Sequence, residues 1–173
     1  MISPENSHFT NIALIGMEGA GKSTVGHLLA DRLGFRFIDT DDMIAESAGT
    51  GLQNVLDNYG QQQFQVLEEQ VLLSIDAVRS VIATGGSAVY SRTGMEHLQT
   101  IALVVWLDVP LPELEARVNN LDSRGLVNPD GTSFARLYRQ RFELYRQYAH
   151  LRIPCLDKSP SQVVREIIEQ GAT

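Results

Sequence analysis

A short glycine-rich segment at residues 16–23 constrains the fold of this chain more than any other feature. It has the sequence GMEGAGKS and satisfies the pattern G-x-x-x-x-G-K-[ST] at every constrained position. An apolar run at 12–15 precedes it, and a helix-compatible stretch at 24–33 follows it. Strand, glycine loop and helix in this order direct backbone N–H groups and the positive end of a helix at one point. The segment predicts a nucleoside triphosphate site rather than a plain glycine-rich turn.

The rest of the chain alternates between strand and helix patterns. The strand candidates are continuous apolar runs, which is typical of strands covered on both faces. They lie at 12–15, 35–38, 80–83, 102–107 and 153–156. The helical patterns lie at 24–33, 64–78, 111–119, 133–150 and 161–170. This alternation predicts an α/β fold with a parallel sheet and right-handed crossovers.

Composition narrows the class of protein. A chain of 173 residues fits one domain, and its net charge of -7 argues against general affinity for nucleic acid. Cys155 is the sole cysteine, which excludes an internal disulfide and predicts a small core residue. We see no secretory signal at the N-terminus and no run of membrane-spanning length. We therefore expect a cytoplasmic protein that does not bind membranes. We also expect a monomer, because no long apolar surface stripe in the sequence calls for a dimer.

Two segments interrupt the alternation and could serve the site. The stretch at about 40–63 is long and polar, and the stretch at about 120–132 contains strong turn signals such as Asn128-Pro129-Asp130-Gly131. Both follow strands whose carboxyl ends should open onto the glycine loop, which is where open parallel sheets bind ligands. We interpret the first as a substrate-binding insertion and the second as a lid. Two ordinary surface loops remain the alternative.

Polar residues at the ends of the second and third strands add candidate chemistry. Asp39 and Asp41 follow the second strand, where one carboxylate could steady Mg²⁺ and the other could accept a hydroxyl proton. Asp42 fits the simpler task of capping the next helix. Adjacent glycines at 85–86 allow a small ligand to approach the backbone closely, although this signal alone is weak.

Three motifs in order resemble the shikimate kinase family. They are GMEGAGKST at 16–24, FIDTD at 37–41 and ATGGS at 83–87. The match continues downstream in Arg124, Arg141 and Arg152. The glycine loop alone marks only a broad class, but the ordered set covers nearly the whole chain and is much more specific.

The resemblance implies a three-layer P-loop NTPase fold of the nucleoside monophosphate kinase-like type, with a five-stranded parallel sheet, a lid and a substrate-binding subdomain. It implies transfer of the γ-phosphoryl group of ATP to the 3-hydroxyl group of shikimate, a small hydroxylated carboxylate, with Mg²⁺. The implied catalytic residues are Lys22, Asp41 and Arg124. The implied nucleotide contacts are Gly19, Ala20, Gly21, Lys22, Ser23, Thr24, Arg117, Arg124, Lys158 and Pro160. The implied metal ligands are Ser23 and Asp39, and the implied substrate contacts are Asp41, Gln65, Gly85, Gly86 and Arg141.

The departures from the family pattern concern the acceptor side. Where the family has Gly-Glu-x-x-Phe-Arg, residues 60–65 are GQQQFQ, so Gln65 replaces one of two arginines that hold the shikimate carboxylate. Ser87 replaces a third glycine, and the lid motif Arg-Pro-Leu-Leu is RGLV at 124–127. Glu68 keeps its family position, and we explain it only by the preference of acids for helix starts.

These departures leave three functions open. The first is phosphorylation of shikimate, which we place first because Asp41, Gly86 and Arg141 persist. The second is a related kinase for another small hydroxy acid or polyol. The third is a nucleotide-binding protein without catalysis, which the intact loop argues against.

Overall fold

A five-stranded parallel sheet forms the centre of the computed structural model, which describes residues 10–121 and 132–171. The strands β1 to β5 span, in chain order, Asn11–Ile15, Arg36–Asp39, Ser80–Ala83, Ala102–Asp108 and Leu151–Pro154. Their spatial order is β2-β3-β1-β4-β5, and every neighbouring pair is parallel. All five predicted strands are present, and the predicted fold class is confirmed.

Burial differs between the central and the edge strands. Every residue of β1 and β3 is buried, as the apolar runs predicted. The edge strands β2 and β5 are only partly buried, so the prediction of cover on both faces is wrong for these two. An edge strand has a sheet neighbour on one side only, which leaves part of its side chains at the periphery. The last strand also begins earlier than predicted, at Leu151 rather than 153.

Helices flank the sheet on its faces. The helices α1 to α7 span Lys22–Leu33, Thr40–Ala48, Leu52–Ser74, Arg92–Ile101, Leu111–Leu121, Phe134–Tyr148 and Pro160–Gly171. Helix α1 packs against α7, whereas α3 packs against α4 and α4 against α6. Such cover explains the apolar central strands, because a parallel sheet is normally buried on both faces. None of the helices in the described part is both long enough and apolar enough to cross a membrane.

The polar stretch at 40–63 is largely helical. It forms α2 and the first part of α3, which bends at Gly60, where φ is 75° and ψ is 174°. The helix predicted at 64–78 therefore begins earlier and ends earlier, at Ser74. Helix α4 was not predicted. Of the expected lid, residues 120–121 complete α5, and residues 122–131, including Arg124, lie outside the described residues.

The topology gathers the predicted motifs at one edge of the sheet. The glycine loop follows β1, Asp39 is the last residue of β2, and Thr84 follows β3. Thr84 is fixed there because both its backbone N–H and its hydroxyl donate to the carbonyl of Leu14. The carboxyl ends of these three adjacent strands therefore form the floor of one candidate site.

Candidate active site

The glycine loop wraps tightly between β1 and α1. Gly16 has a φ of 146°, and a Cβ there would lie 2.8 Å from the carbonyl oxygen of Leu107, so no side chain fits. Gly21 caps α1 in the left-handed region with φ 90°. Lys22 is the first residue of α1, and its Nζ donates to the carbonyl oxygens of Gly16 at 2.7 Å and Met17 at 2.8 Å. The ammonium group therefore lies over the loop, beside the backbone that should hold phosphates.

The pKa of Lys22 lies below its ordinary value. Burial of the ammonium group lowers this pKa, and the nearby carboxylates of Glu18 and Asp41 only partly oppose the effect. A cation held in partial burial interacts strongly with an incoming anion, because water screens it less. The loop therefore has the electrostatic character that a triphosphate site requires.

Asp39 has two structural partners at the start of α2. Its Oδ1 accepts from the backbone N–H of Asp41 at 3.0 Å, and its Oδ2 accepts from Ser23 Oγ at 3.0 Å. The helix cap is therefore Asp39, and the capping role predicted for Asp42 is wrong. Asp42 lies in the first turn and is exposed. The Ser23 hydroxyl and the Asp39 carboxylate are hard oxygen donors at hydrogen-bond distance, which fits the ligand preference of Mg²⁺.

A cleft of about 530 Å³ adjoins the outer side of the glycine loop. It is lined by Gly19, Ala20, Gly21, Thr24, Val25, Arg117, Cys155, Lys158, Pro160 and Val163. Arg117 is oriented over the loop, because Nη1 donates to Gly19 O at 3.3 Å and Nε to Glu113 Oε1 at 3.0 Å. Burial raises the pKa of the Cys155 thiol to about 11, so Cys155 serves as an apolar wall. The cleft collects the described residues predicted to contact the nucleotide, apart from Lys22 and Ser23 of the loop itself.

A second pocket, of about 270 Å³, lies on the inner side of the loop. It contains all five residues predicted to contact the acceptor: Asp41, Gln65, Gly85, Gly86 and Arg141. Its remaining lining residues are Glu18, Leu52, Leu56, Gly60, Gln61, Phe64 and Ser87. Helices α2, α3 and α6 thus meet the ends of β1 and β3 around one small cavity. We name this cavity the acceptor pocket.

Asp41 has an unusual protonation equilibrium. Burial and, after it, the charge of Asp39 raise its pKa, Lys22 partly opposes both, and the resulting pKa is about 6. A Cβ at Gly85 would lie 2.9 Å from Asp41 Oδ1 and 2.7 Å from Glu68 Oε1, so the two carboxyl groups approach each other across this glycine. A carboxylate with a raised pKa is suited to accept a proton from a substrate hydroxyl group near neutral pH.

Glu68 is a buried residue beside Gly85 and does not lie at a helix start. It lies within α3, is 1% exposed and accepts from Ser87 Oγ at 3.0 and 2.8 Å through its two oxygens. Its pKa is about 7, because burial raises the pKa by more than the hydrogen bond from Ser87 lowers it. The explanation by helix-start preference is therefore wrong. Ser87, the residue that departs from the family pattern, supplies its partner.

Glu18 is the site residue that sequence reasoning missed. Both oxygens of its carboxylate accept from Arg141 Nη1 at 2.8 Å, and Arg141 is 4% exposed. Tyr90 supports the guanidinium group from another side, with its ring centroid 5.3 Å from Arg141 Cζ. Tyr145, four residues further along α6, donates to Gly86 O at 2.8 Å and fixes that glycine. The signal available in the sequence was the acidic side chain of Glu18, in a loop whose other residues are glycine, apolar or the lysine and serine of the motif.

The sheet order, the glycine loop and the two flanking cavities define a phosphate-loop kinase fold. A family model described as shikimate kinase matches residues 18–172. The chain belongs to the shikimate kinase family, whose members are phosphotransferases with an alcohol group as acceptor. Among the described residues, no cluster of three or more His, Cys, Asp or Glu side chains could hold a metal ion.

Curated relatives and solved structures agree with this assignment. Shikimate kinase of Geobacter sulfurreducens is 39% identical over 91% of this chain and 88% of its own length. That of Persephonella marina is 35% identical over 91% of this chain and 96% of its own length. The structure of shikimate kinase from Acinetobacter baumannii in complex with shikimate has a TM-score of 0.86 at 29% identity, covering 96% of this chain and 95% of that one.

Proposed function

We propose that this protein transfers the γ-phosphoryl group of ATP to the 3-hydroxyl group of shikimate, forming 3-phosphoshikimate for the chorismate and aromatic amino-acid route. The observation that carries the proposal is the acceptor pocket, in which Asp41, Gly86 and Arg141 adjoin the glycine loop. The relative from Acinetobacter baumannii, whose structure contains shikimate, supports this choice of acceptor. We also propose that the protein works as a monomer in the cytoplasm, in keeping with a single, buried free cysteine.

In the proposed reaction, the glycine loop and Lys22 hold the phosphates in line with the acceptor hydroxyl group. Phosphoryl transfer asks a protein mainly for positioning and charge neutralisation, which these groups supply. Ser23 and Asp39 would hold Mg²⁺, which neutralises charge on the phosphates. The walls of the outer cleft, Arg117 and the segment Lys158 to Pro160, would enclose the adenine ring.

On the acceptor side, Asp41 would accept the hydroxyl proton and Arg141 would hold the carboxylate. Gly85 and Gly86 would allow the ring of the acceptor to approach the backbone closely. Exclusion of water from this pocket strengthens each of these electrostatic contacts. Arg124 lies outside the described residues and stays a sequence-based prediction as the lid arginine.

An assay that couples ADP release to a spectroscopic signal tests the proposal, with Mg·ATP and shikimate as substrates. Asp41→Asn should lower kcat by about 10²- to 10⁴-fold, because the amide cannot accept the proton. Asp42→Asn is the matched control, since Asp42 is exposed on the same helical turn, and it should retain activity. Equal turnover by Asp41→Asn and the parent would refute the role of Asp41. Absence of any shikimate turnover would refute the proposed function.

A second candidate function is phosphorylation of another small hydroxylated compound. Gln65 favours it, because this side chain lines the pocket without the charge of the family arginine. Loss of one charge-assisted contact costs about 1.5–3 kcal/mol of binding, or roughly ten- to a hundredfold in affinity. The same assay with a panel of uncharged polyols and hydroxy acids tests this candidate. Turnover of a panel member, without turnover of shikimate, would support it.

A further inference from the structure

The acceptor pocket contains a carboxylate of its own. Glu18 lies in the glycine loop, and its side chain is directed into the pocket that should receive the carboxylate of the acceptor. Among the described residues that line this pocket, Arg141 is the only cation, whereas Glu18 and Asp41 are both acids. The only guanidinium group of this lining is therefore paired with an internal anion.

The contact between Glu18 and Arg141 is close and asymmetric. The Arg141 side chain is 5% exposed, whereas that of Glu18 is 49% exposed. Arg141 is also fixed by Tyr90, whose hydroxyl group accepts from Nε at 3.3 Å. The guanidinium group is thus the immobile partner, and the glutamate is the partner that can leave towards solvent.

The carboxylate of Glu18 also occupies the space next to the backbone of Gly86. A Cβ on Gly86 would lie 2.5 Å from Glu18 Oε1 and 2.6 Å from its Cδ, so the carboxylate rests directly on the α-carbon of Gly86. Partial burial raises the pKa of Glu18, but the charges of Arg141 and Lys22 together lower it by more. The pKa therefore lies below its ordinary value. The group therefore remains an anion at neutral pH.

We propose that Glu18 determines acceptor specificity by competing with the carboxylate of the acceptor for Arg141. The inference rests on the proposed function of this site. An acceptor that bears a carboxylate must displace Glu18 towards solvent before Arg141 can bind it. An uncharged acceptor of the same shape does not need that displacement. Glu18, together with the neutral Gln65, thus reduces the preference of the pocket for anionic acceptors.

The test compares Glu18→Gln with the parent on two acceptors, shikimate and its uncharged carboxamide. The amide keeps the size of the side chain but removes the charge that competes for Arg141. We expect the KM for shikimate to fall roughly three- to thirtyfold. The KM for the carboxamide should change by less than about twofold. A merely structural role of Glu18 would change both KM values alike and would not produce this difference between the acceptors. Isothermal titration calorimetry of shikimate in the presence of Mg·ADP should show the same tightening.

The matched control is Glu143→Gln, which removes an exposed glutamate that pairs with Arg146 on α6 at 3.6 Å. It should leave the KM values for both acceptors unchanged. If the parent phosphorylates shikimate and Glu18→Gln changes the KM values of both acceptors equally, or changes neither, the inference about Glu18 is overturned while the proposed function stands. If the parent does not phosphorylate shikimate but Glu18→Gln binds it more tightly than the parent does, the proposed function fails and the competition stands. If calorimetry shows no shikimate binding to either protein, both fail.

Discussion

Glu18, which lines the acceptor pocket, and Glu68, which is buried beside Gly85, both have partners that their sequence positions do not reveal. The motif identified Lys22, Ser23 and the loop glycines, because a phosphate-binding loop needs these residue types at fixed spacings along the chain. The partners of Glu18 and Glu68 depend instead on tertiary structure. Glu18 and Arg141 are separated by 123 positions, and Ser87, which follows β3, bonds to Glu68 of α3, 19 positions earlier. A single sequence contains no local pattern from which such pairs can be predicted.

The buried carboxyl group of Glu68 should make the stability of the protein depend on pH. Its pKa is about 7 in the folded protein, above the ordinary value of 4.5. The unfolded chain therefore releases this proton first as pH rises, and the folded state loses stability between about pH 4.5 and 7. By this linkage the loss is roughly 3 kcal/mol at most. Glu68→Gln cannot ionise and still accepts from Ser87, so it should escape this loss.

Urea unfolding at pH 5 and at pH 8 measures the effect. The free energy of unfolding of Glu68→Gln minus that of the parent should be larger, meaning that the variant is relatively more stable, at pH 8 than at pH 5. Glu96→Gln, which alters an exposed glutamate paired with Arg92, is the control and should show no comparable change with pH. A difference between Glu68→Gln and the parent that is identical at both pH values would contradict the assigned protonation equilibrium of Glu68.

At the scale of elements, the continuous apolar runs predicted all five strands, although only the inner strands are buried on both faces and the edge strands β2 and β5 are partly exposed. Helices α2, in the polar stretch, and α4 were harder to predict. In α2 only Thr40 and Ile44 are buried, and in α4 only Gly94, Met95 and Leu98 are. Short helices with so few buried residues leave a weak periodic signal, and packing against neighbours stabilises them instead.

The bend of α3 at Gly60 should control the shape of the acceptor pocket. Gly60 has φ 75° and ψ 174°, a conformation that essentially only glycine adopts, and its Cβ position is open space. Gly60→Ala should therefore cost about 1–3 kcal/mol of stability through backbone strain alone. Because Gly60, Gln61 and Gln65 line the pocket, the KM for the acceptor should rise more than the KM for ATP.

Gly51→Ala is the matched control for the bend. Gly51 also has open space at its Cβ position, but its φ of -64° suits any residue. It should leave both the free energy of unfolding and the KM for the acceptor nearly unchanged, as measured by urea unfolding and steady-state kinetics. If Gly60→Ala and Gly51→Ala behaved alike, the conformation of Gly60 would not matter to the pocket.

At the scale of the whole molecule, the glycine loop separates two cavities, which we propose to bind the acceptor and the nucleotide. Glu18 lines the acceptor pocket, while its neighbour Gly19 lines the cleft on the outer side of the loop. Topology explains this arrangement, because the loop follows the central strand β1 and the other strands end on both sides of it. The sequence order of motifs was sufficient to predict a shared site. The charge balance within the pocket required the fold, since it depends on which side chains face the cavity.

Binding of Mg·ATP should stabilise the whole chain, because the loop joins β1 to α1 at the centre of the fold. At a concentration of 100 Kd, a ligand that binds only the folded state adds about 2.7 kcal/mol of stability. For a domain of this size, that corresponds to a rise in Tm of about 5–10 °C, measurable by differential scanning fluorimetry. Lys22→Met should lose most of this rise, because it removes the ammonium group that we propose holds the phosphates. Arg146→Met, an exposed cation on α6, should keep the full rise. An undiminished rise in Lys22→Met would mean that triphosphate binding does not depend on Lys22.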